Sequence, residues 1–584
     1  MELSSLDWAV IVAFFVLSLG IGLYYTNRAG QNINEFFLGG RNLPWWIAGT
    51  SMVATTFAAD TPLAVNELVA QSGISGNWLW WNALAGGMLT TMFFAKYWRR
   101  AEILTDVELT EMRYSGKEAA FLRGFKAIYL GIFMNALIIG WVNKAMMTIL
   151  LVFFDIPESQ LLWYIAAAMV VVVIYSSLSG LWGVAITDVV QFAIAMFGCL
   201  VLAILVVNSE QIGGITGLKA KLPAGSLDFF PSVGSQGLGT TLSLSIGTFL
   251  AYTTVQWWAS WYPGAEPGGG GYVAQRMMSA KNERHAVLAT LFFQIMHYCI
   301  RPWPWILVGL SALILYPDVA DKKMGYVLAM KDFLPSGLRG LLLVAFFAAY
   351  MSTISTQLNW GASYIINDFY IRFVKPKATD KQSVLASRVA TACMMVVALY
   401  ATSLINSISG VWQFIMECGA GLGLVLILRW YWWRISAWSE IAATIAPFIA
   451  YGFVKYSGVV PAEYSEYPNS FFITVLVTTV SWIAVTFLTK PTDTATLERF
   501  YAKVKPDGAW KPFAEKSNAA ASNQNLLLLT IAWLLAICMG YSILFAIGKI
   551  ILMEWTMAAI FVVVAATSTF AFNYITQKAK LFEE

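Results

Sequence analysis

Long apolar runs separated by short polar stretches dominate this sequence of 584 residues. A run of 18 or more apolar residues is long enough to cross a bilayer as a helix. The pattern therefore predicts an all-α polytopic membrane protein. About fifteen such runs are present, numbered here as segments in chain order: 6–26, 44–72, 76–98, 121–154, 160–180, 183–207, 238–262, 285–316, 338–372, 382–405, 408–434, 437–456, 469–489, 525–547 and 553–576.

The composition narrows the class of protein. Apolar residues make up 58% of the chain and charged residues 12%, whereas a soluble chain is about one quarter charged. The net charge of +4 is too small to indicate a basic surface that binds nucleic acid. No nucleophile–base pair or metal-ligand cluster stands out, and the run Gly268–Gly271 lacks the following Lys of a phosphate-binding loop. We therefore predict a protein of the lipid bilayer that is not an enzyme, binds no nucleic acid and has no obligatory protein partner.

Basic residues set the predicted orientation. With the N-terminus outside, the inner loops carry about three times as many Lys and Arg as the outer loops, which is the bias that cytoplasmic loops show. This predicts a multi-pass protein of the cell (inner) membrane with its N-terminus outside and its C-terminus in the cytoplasm. Residues 263–285 and 490–524 are then cytoplasmic loops, and the second is predicted to be a solvated linker.

Two apolar segments are interrupted within their length. In segment two, small and hydroxyl residues lead to Asp60, Thr61 and Pro62, so Thr61 is predicted to cap a second half-helix. In segment seven, the Pro- and Gly-rich stretch Pro263–Gly271 ends any continuous helix. Irregular backbone at membrane depth is tolerated where it lines a cavity, although the Gly run is also consistent with a loop at the end of segment seven.

The two breaks lie five segments apart. Interrupted segments at matching positions of two halves indicate a secondary transporter with a binding site near the bilayer midplane. A repeat of five segments holds an odd number of spans, so its copy must be inverted. The predicted organisation is an N-terminal helix and loop at 1–43, a transport core at 44–434 with repeats 44–207 and 238–434, two extra helices at 435–489, a loop at 490–524 and a final helical pair at 525–584.

Segment nine carries a face of small and hydroxyl residues. Ala349, Ser352, Thr353 and Thr356 recur at helical spacing, with Ser355 beside them. Na⁺ is a hard cation that binds oxygen, and hydroxyls together with freed backbone carbonyls supply oxygen without excess charge. Close packing of membrane helices favours the same residue types, so this face predicts either an ion site or a helix contact.

Asp188 lies within segment six, after Ile186 and Thr187. A carboxylate inside a membrane span is costly and is by default a functional hypothesis. Asp188 is therefore predicted to bind Na⁺ or to carry a proton. The alternative is a hydrated Asp near the cytoplasmic end of the span, paired with a loop Lys or Arg.

Five motifs together resemble one transporter family. They are Gly39–Trp46, Ala54–Phe57, Ser179–Gln191, Gln275–Asn282 and Ala348–Asn359. With them the chain resembles the sodium:solute symporter family, which includes sodium/sugar, sodium/proline and sialic-acid symporters, over roughly its first 430 residues. The resemblance implies a five-plus-five inverted-repeat core, with one N-terminal and about four C-terminal extra helices around it here, and Na⁺ as the coupling ion.

The resemblance also implies two groups of sodium ligands. Sodium site 1 combines backbone carbonyls and hydroxyls, at Ala54, Phe57, Ala349, Ser352 and Thr353. Some members of the family carry a sodium site 2, built from a carboxylate and hydroxyls, which falls here on Asp188, Ser352, Ser355 and Thr356.

The solute cavity implied by the resemblance departs from the sugar-binding pattern. Where sugar symporters of the family have Gln, Lys and Gln, this chain has Thr61, Tyr298 and Met416, which argues against glucose or galactose. The residues predicted to line the cavity are Thr56, Asp60, Thr61, Trp81, Asn82, Trp257, Trp258, Trp261, Tyr298, Arg301, Met416 and Glu417, with Trp80 and His297 beside them.

Two cations, Lys144 and Arg301, lie inside apolar runs. Either is suited to hold a carboxylate, which indicates an anionic or zwitterionic small organic solute. Arg301 precedes Pro302 and has two further interpretations: it satisfies carbonyls freed at that bend, or it pairs with Glu417. The Trp side chains are equally typical of a lipid interface.

These features predict a sodium-coupled symporter that imports a small organic solute by alternating access. Na⁺ between the broken helix and segment nine is expected to fix an outward-open state that binds the solute. One alternative keeps the fold but couples protons through Asp188 and Glu417. A more distant alternative is a membrane sensor.

Overall fold

The computed structural model describes residues 3–29, 35, 38–176, 181–231, 242–515 and 525–582. Over these ranges the regular structure is helical, and the β-type contacts are two single bridges, Leu43 with Ala280 and Trp432 with Ala509. The predicted all-α class is confirmed. Ser179 and Gly180, in the predicted turn between segments five and six, lie outside the described residues.

Each predicted segment contains helix. Two segments, two and seven, continue past a break into a second half-helix, and segment eleven bends by 53°. The helices of the fifteen segments, in chain order, are Ser5–Ala29; Trp45–Thr55 and Asp60–Ser72; Trp78–Trp81 and Ala83–Leu89, continuing to Ala95–Ala101; Gly116–Phe154; Glu158–Ser176; Leu181–Val207; Ile246–Leu250, continuing to Trp257–Ala259, and Gly271–Ser279; Glu283–Leu315; Leu338–Val374; Asp380–Leu404; Ile408–Cys418 and Leu422–Tyr431; Ala437–Tyr456; Asn469–Leu488; Leu526–Ile551; and Trp555–Lys578. Shorter helices between the segments include Leu109–Arg113, Gly214–Lys221, Met324–Phe333 and Thr494–Val504.

Within the described ranges, nine helices are individually long and apolar enough to cross a membrane, and the bent pair of segment eleven makes a tenth. Of the five segments without such a helix, two and seven are divided into pieces that are each too short to span. The other three are segments one, three and five.

The break in segment two differs in one detail from the prediction. The second half-helix begins at Asp60, so Pro62 lies in its first turn as expected, but Thr61 is already inside that turn. Ala59 holds the cap position and makes no side-chain cap. The prediction that Thr61 caps the helix is therefore wrong. Its hydroxyl instead donates to the Thr56 carbonyl at 3.3 Å, one of the carbonyls that the break frees.

Segment seven is a true broken helix. Its first part ends at Ala259 and a second half-helix, Gly271–Ser279, follows the Pro- and Gly-rich stretch. Gly269 has φ +84°, and a Cβ there would lie 2.7 Å from Trp98 Nε1, so the backbone needs glycine at this position. The Gly run is thus an interruption rather than a terminal loop. The prediction that all of 263–285 is a cytoplasmic loop is wrong, because the half-helix is largely buried.

The helices outside the proposed core pack directly on it. Leu526–Ile551 lies against segments three and eight, where Trp533 Nε1 donates to the Ala85 carbonyl at 2.9 Å and the Tyr541 hydroxyl donates to the Trp81 carbonyl at 3.0 Å. These contacts place the final helical pair immediately behind the wall that segments three and eight form.

Residues 490–515 are folded rather than solvated. Leu497, Phe500 and Val504 recur at helical spacing on Thr494–Val504 and are buried. Trp510 is also buried and donates through Nε1 to the Trp430 carbonyl at 2.7 Å. The prediction of a solvated linker is wrong for this part, because these apolar side chains cover the ends of core helices. Residues 516–524 lie outside the described ranges.

Candidate ion and solute sites

Asp188 joins two segments that the sequence places far apart. It lies in the second turn of Leu181–Val207 and is 1% exposed. Its Oδ2 accepts a hydrogen bond from Ser51 Oγ at 2.8 Å, and its Oδ1 accepts one from Ser352 Oγ at 3.3 Å. The interpretation of Asp188 as a hydrated residue at a helix end is therefore wrong, and the carboxylate bridges the first half-helix of segment two and segment nine.

Arg276 is a member of this cluster that sequence reasoning missed. It is 1% exposed on the half-helix Gly271–Ser279. Its Nε donates to Ser51 Oγ at 3.4 Å and its Nη2 to Thr55 Oγ1 at 3.2 Å, close enough to Asp188 for the two charges to interact. The sequence feature that could have located Arg276 is the largely apolar stretch after Gly268–Gly271. That stretch is long enough to form a half-helix.

Of the residues predicted for sodium site 1, Ala54 and Phe57 lie at the break of segment two, and Ala349, Ser352 and Thr353 lie on segment nine. Ala54 lies at the end of the first half-helix, and its carbonyl accepts from Phe57 N at 2.9 Å. The Phe57 ring lies 5.9 Å from that of Phe346, one helical turn before Ala349. Thr353 is buried and lines the same cavity as Thr55 and Thr56.

The residues predicted for sodium site 2 share one face of segment nine. Ser352 is the member whose hydroxyl bonds Asp188. Ser355 and Thr356 follow one turn later and are half-buried. Thr356 lines a second cavity, described below, so this hydroxyl face extends from the Asp188 cluster to that cavity.

A central cavity with about 950 Å³ of empty space lies beside the two breaks. Eight of the twelve predicted solute-site residues line it: Thr56, Asp60, Thr61, Asn82, Trp257, Tyr298, Arg301 and Met416.

The other four predicted residues lie outside this lining. Trp81 is fully buried outside the lining, and its ring lies 6.4 Å from that of Phe545 in the C-terminal helix Leu526–Ile551. Trp258 is half-buried and donates to a carbonyl of its own helix, and Trp261 lines a smaller pocket. Glu417 accepts from Ser470 Oγ at 2.9 Å, so it is held by segment thirteen.

Several lining residues escaped prediction, since only packing decides which face of a long apolar helix meets the cavity. They are Trp141, Gln256, Tyr262, Tyr272, Gln357 and Trp412. Trp80 and His297, expected near the solute, do line it, and His297 Nδ1 lies 2.9 Å from Thr56 Oγ1. Lys144 is half-buried on segment four and is not in the lining.

Arg301 is anchored to the first break. Its Nη1 donates to the Val53 carbonyl at 2.9 Å and to Thr56 Oγ1 at 3.0 Å. Its guanidinium lies over the Trp305 ring at 5.1 Å. Arg301 thus satisfies a carbonyl of segment two rather than one at its own bend, and the alternative pairing with Glu417 is wrong.

A second cavity, with about 1460 Å³ of empty space, adjoins the first and shares Tyr272 and Gln357 with it. Charged residues line it, among them Asp106, Arg123 and Asp368. Asp106 accepts from the Gly271 amide at 3.0 Å, at the start of the second half-helix of segment seven, and it also bonds the Tyr364 hydroxyl.

Comparison with known proteins identifies the family of this chain. The model of the sodium:solute symporter family matches residues 36–446. The chain belongs to the sodium:solute symporter family. This symporter is 23% identical over 488 residues to the sodium/glucose cotransporter of Vibrio parahaemolyticus, which covers 78% of this chain and 86% of that relative. It is 24% identical over 426 residues to sodium/glucose cotransporter 2 of Rattus norvegicus, with 65% of this chain and 60% of that protein covered.

A solved structure shares the fold. It is the substrate-bound, outward-open state of a Na⁺-coupled sialic acid symporter, with a TM-score of 0.65 at 18% sequence identity, covering 84% of this chain and 99% of that one. The five-plus-five inverted-repeat transporter fold is thereby confirmed. Family and fold together make this chain a sodium-coupled symporter that works by alternating access, with Na⁺ as the coupling ion.

Proposed function

We propose that this symporter imports a small organic solute into the cell and that its coupling Na⁺ binds between the first break and segment nine. The ligands are the carbonyls of Ala54, Phe57 and Ala349 and the hydroxyls of Ser352 and Thr353. The observation that carries this proposal is the bridge from Ser51 through Asp188 to Ser352, which supports close approach of the two segments.

Sodium at this position couples to the solute through the shared break. Thr56, directly after the helix that ends at Thr55, lines the central cavity and bonds both His297 and Arg301. An ion that orders the carbonyls around Thr56 also orders these cavity residues. Bound Na⁺ therefore raises the affinity for the solute, and by thermodynamic reciprocity the solute raises the affinity for Na⁺ by the same factor.

A second Na⁺ is proposed at Asp188, with Ser352, Ser355 and Thr356 as its other ligands. Support comes from the burial of the carboxylate, since a buried charge needs a compensating charge. The nearby charge of Arg276, which its contacts with Ser51 and Thr55 hold in position, supplies part of that compensation. Entry of the ion would therefore weaken the interaction of Arg276 with Asp188 and release the half-helix Gly271–Ser279.

The basic loops support an orientation with the N-terminus outside and the C-terminus in the cytoplasm. In that orientation the second cavity opens towards the cytoplasm, because residues of the 96–126 loop line it. Tyr272 and Gln357, shared by both cavities, then separate the solute from the release path. The hydrogen bond from the Gly271 amide to Asp106 fixes the start of the second half-helix of segment seven beside this path.

Rapid ion exchange on proteoliposomes tests sodium coupling without knowledge of the solute. A jump from K⁺ to Na⁺ at constant pH is expected to move charge within the protein, and the signal should saturate with Na⁺ concentration. A pH jump in K⁺ alone should give no comparable signal. Charge movement with protons and none with Na⁺ would contradict the proposal and favour proton coupling.

A further inference from the structure

Aromatic side chains form a cage around the central cavity. The Trp141 and Tyr262 rings stack at 6.4 Å, and the Trp412 ring meets Tyr262 edge-on at 6.1 Å. On another side, the Trp80 and Tyr298 rings lie 5.8 Å apart. Aromatic faces attract organic cations, most strongly where water is excluded. The aromatic rings that line the cavity therefore favour a solute with a positively charged group.

Asp60 supplies an anion to the same cavity. It is 4% exposed, and its Oδ1 has no hydrogen-bond partner among the described residues. Trp141 and Tyr262 lie close enough to interact with its carboxylate. A buried carboxylate oxygen without a donor carries a high desolvation cost unless a ligand compensates it. A cationic group of the ligand, placed between Asp60 and the aromatic cage, would compensate the charge of the carboxylate and contact the aromatic faces.

Arg301 supplies the opposite charge. It is fully buried, and its contacts with Val53 and Thr56 use Nη1. In the part of the chain that the structure describes, its Nε and Nη2 have no acceptor. A guanidinium edge with free donors suits a carboxylate. Asp60 and Arg301 carry opposite charges and both line the cavity, so their charges sum to zero.

We infer that the solute is a compact zwitterion, with its ammonium group held by Asp60 and the cage of Trp141, Tyr262 and Trp412, and its carboxylate held by Arg301. This rests on the proposed function, because it names the solute of the same cavity. A lone cation or lone anion would leave one of the two buried charges uncompensated. An uncharged sugar would give each charge only neutral hydrogen bonds, which are weaker than charge-assisted ones.

Thermal unfolding of the purified full-length protein in NaCl and in KCl of equal concentration tests this inference. The probes are L-alanine, L-proline and glycine betaine as zwitterions, choline as the cation, propionate as the anion and glucose as the neutral solute. At least one zwitterion is expected to raise Tm in NaCl and not in KCl, and the half-saturating concentrations of choline, propionate and glucose should be at least about tenfold higher. A larger shift with betaine than with alanine would assign the cage to a methylated ammonium, and the reverse to a primary one.

Variants separate the contacts of the ammonium group from a general effect on folding. Asp60→Asn should weaken zwitterion binding about tenfold or more while Na⁺ alone still raises Tm. Trp412→Leu should weaken it, Trp412→Phe should largely retain it, and Trp163→Leu, on the exposed surface, should leave it unchanged.

The outcomes also distinguish this inference from the proposed function. No stabilisation by Na⁺ alone in the wild-type protein would count against the sodium sites. Two results would overturn the zwitterion inference and leave the sodium sites standing. One is a rise in Tm with Na⁺ but no further rise with any zwitterion. The other is a Na⁺-dependent rise in Tm with glucose, choline or propionate and with none of the zwitterions.

Discussion

The Asp188 carboxylate accepts a hydrogen bond from the Ser352 hydroxyl at 3.3 Å, which links segment six to segment nine in the interior of the protein. Through its other oxygen, Asp188 also binds Ser51 of segment two. One buried charge thus joins segment six to segments two and nine. A cation at this point is able to bias their arrangement, which is what ion coupling requires.

Replacement of Asp188 by Asn keeps the size of the side chain and removes its charge. We expect the concentration of Na⁺ that gives half-maximal thermal stabilisation to rise about tenfold or more, since a neutral amide is a poorer ligand for a hard cation. A Na⁺ titration of Tm at constant ionic strength measures this. Asp228→Asn, an exposed position, is the matched control. Equal Na⁺ dependence in Asp188→Asn and wild type would remove Asp188 from the ion sites.

Thr353 is predicted to act through its hydroxyl. Thr353→Ser retains the oxygen and should retain Na⁺ stabilisation, whereas Thr353→Ala should shift the half-saturating Na⁺ concentration by about tenfold, the effect of losing one hydrogen-bonding or ligand group of roughly 1.4 kcal/mol. Thr391→Ala is the control, because that hydroxyl bonds only a carbonyl of its own helix in the described contacts. The assignment fails if the Ala and Ser variants respond to Na⁺ alike.

Arg276 is predicted to share the compensation of Asp188 with the ion. Arg276→Ala leaves the carboxylate without the positive charge that the protein supplies, so Tm in KCl should fall strongly, by an amount equivalent to about 3 kcal/mol. In NaCl the fall should be smaller, because bound Na⁺ replaces the missing charge. Thermal unfolding in the two salts measures the difference. An equal loss in both salts would show that Na⁺ and Arg276 do not act on the same carboxylate.

Arg113 is predicted to hold residues 490–515 on the core. It is buried with its guanidinium 4.8 Å from the Trp510 ring, and its Nε donates to the Arg429 carbonyl at 2.8 Å. Arg113→Lys keeps the charge but loses the planar stacking, so we expect a loss of about 2 kcal/mol in stability. Limited proteolysis within 490–515 should become faster. Arg388→Lys, exposed on segment ten, should change neither property.

Much of the fold could be predicted from the sequence, because the bilayer limits the structures that a chain can adopt within it. Apolar runs locate the helices, and Pro and Gly inside a run locate the breaks, since both residues act through the local backbone. The predicted approach of Asp188 and Ser352 came from the resemblance to the family rather than from spacing, and the contact between them is present. The ligand sets of both sodium sites remain predictions.

What escaped prediction depends on packing between distant parts of the chain. Arg276 looked like a loop residue because the Gly run seemed to end segment seven, and only the folded chain shows the half-helix that buries it. Trp141 and Trp412 line the cavity, whereas Trp258 does not, and nothing local distinguishes these Trp residues. Helix rotation is set by neighbours, so the polar and aromatic composition of a cavity wall is the least predictable feature.

Equilibrium binding of radioactive Na⁺ to the purified protein tests the central claim most directly. Wild type is expected to bind Na⁺ saturably, and the double variant Ser352→Ala/Thr353→Ala should lose that binding while Thr391→Ala/Thr567→Ala retains it. Saturable Na⁺ binding that is equally strong in the Ser352→Ala/Thr353→Ala variant would contradict the placement of the coupling ion between the first break and segment nine.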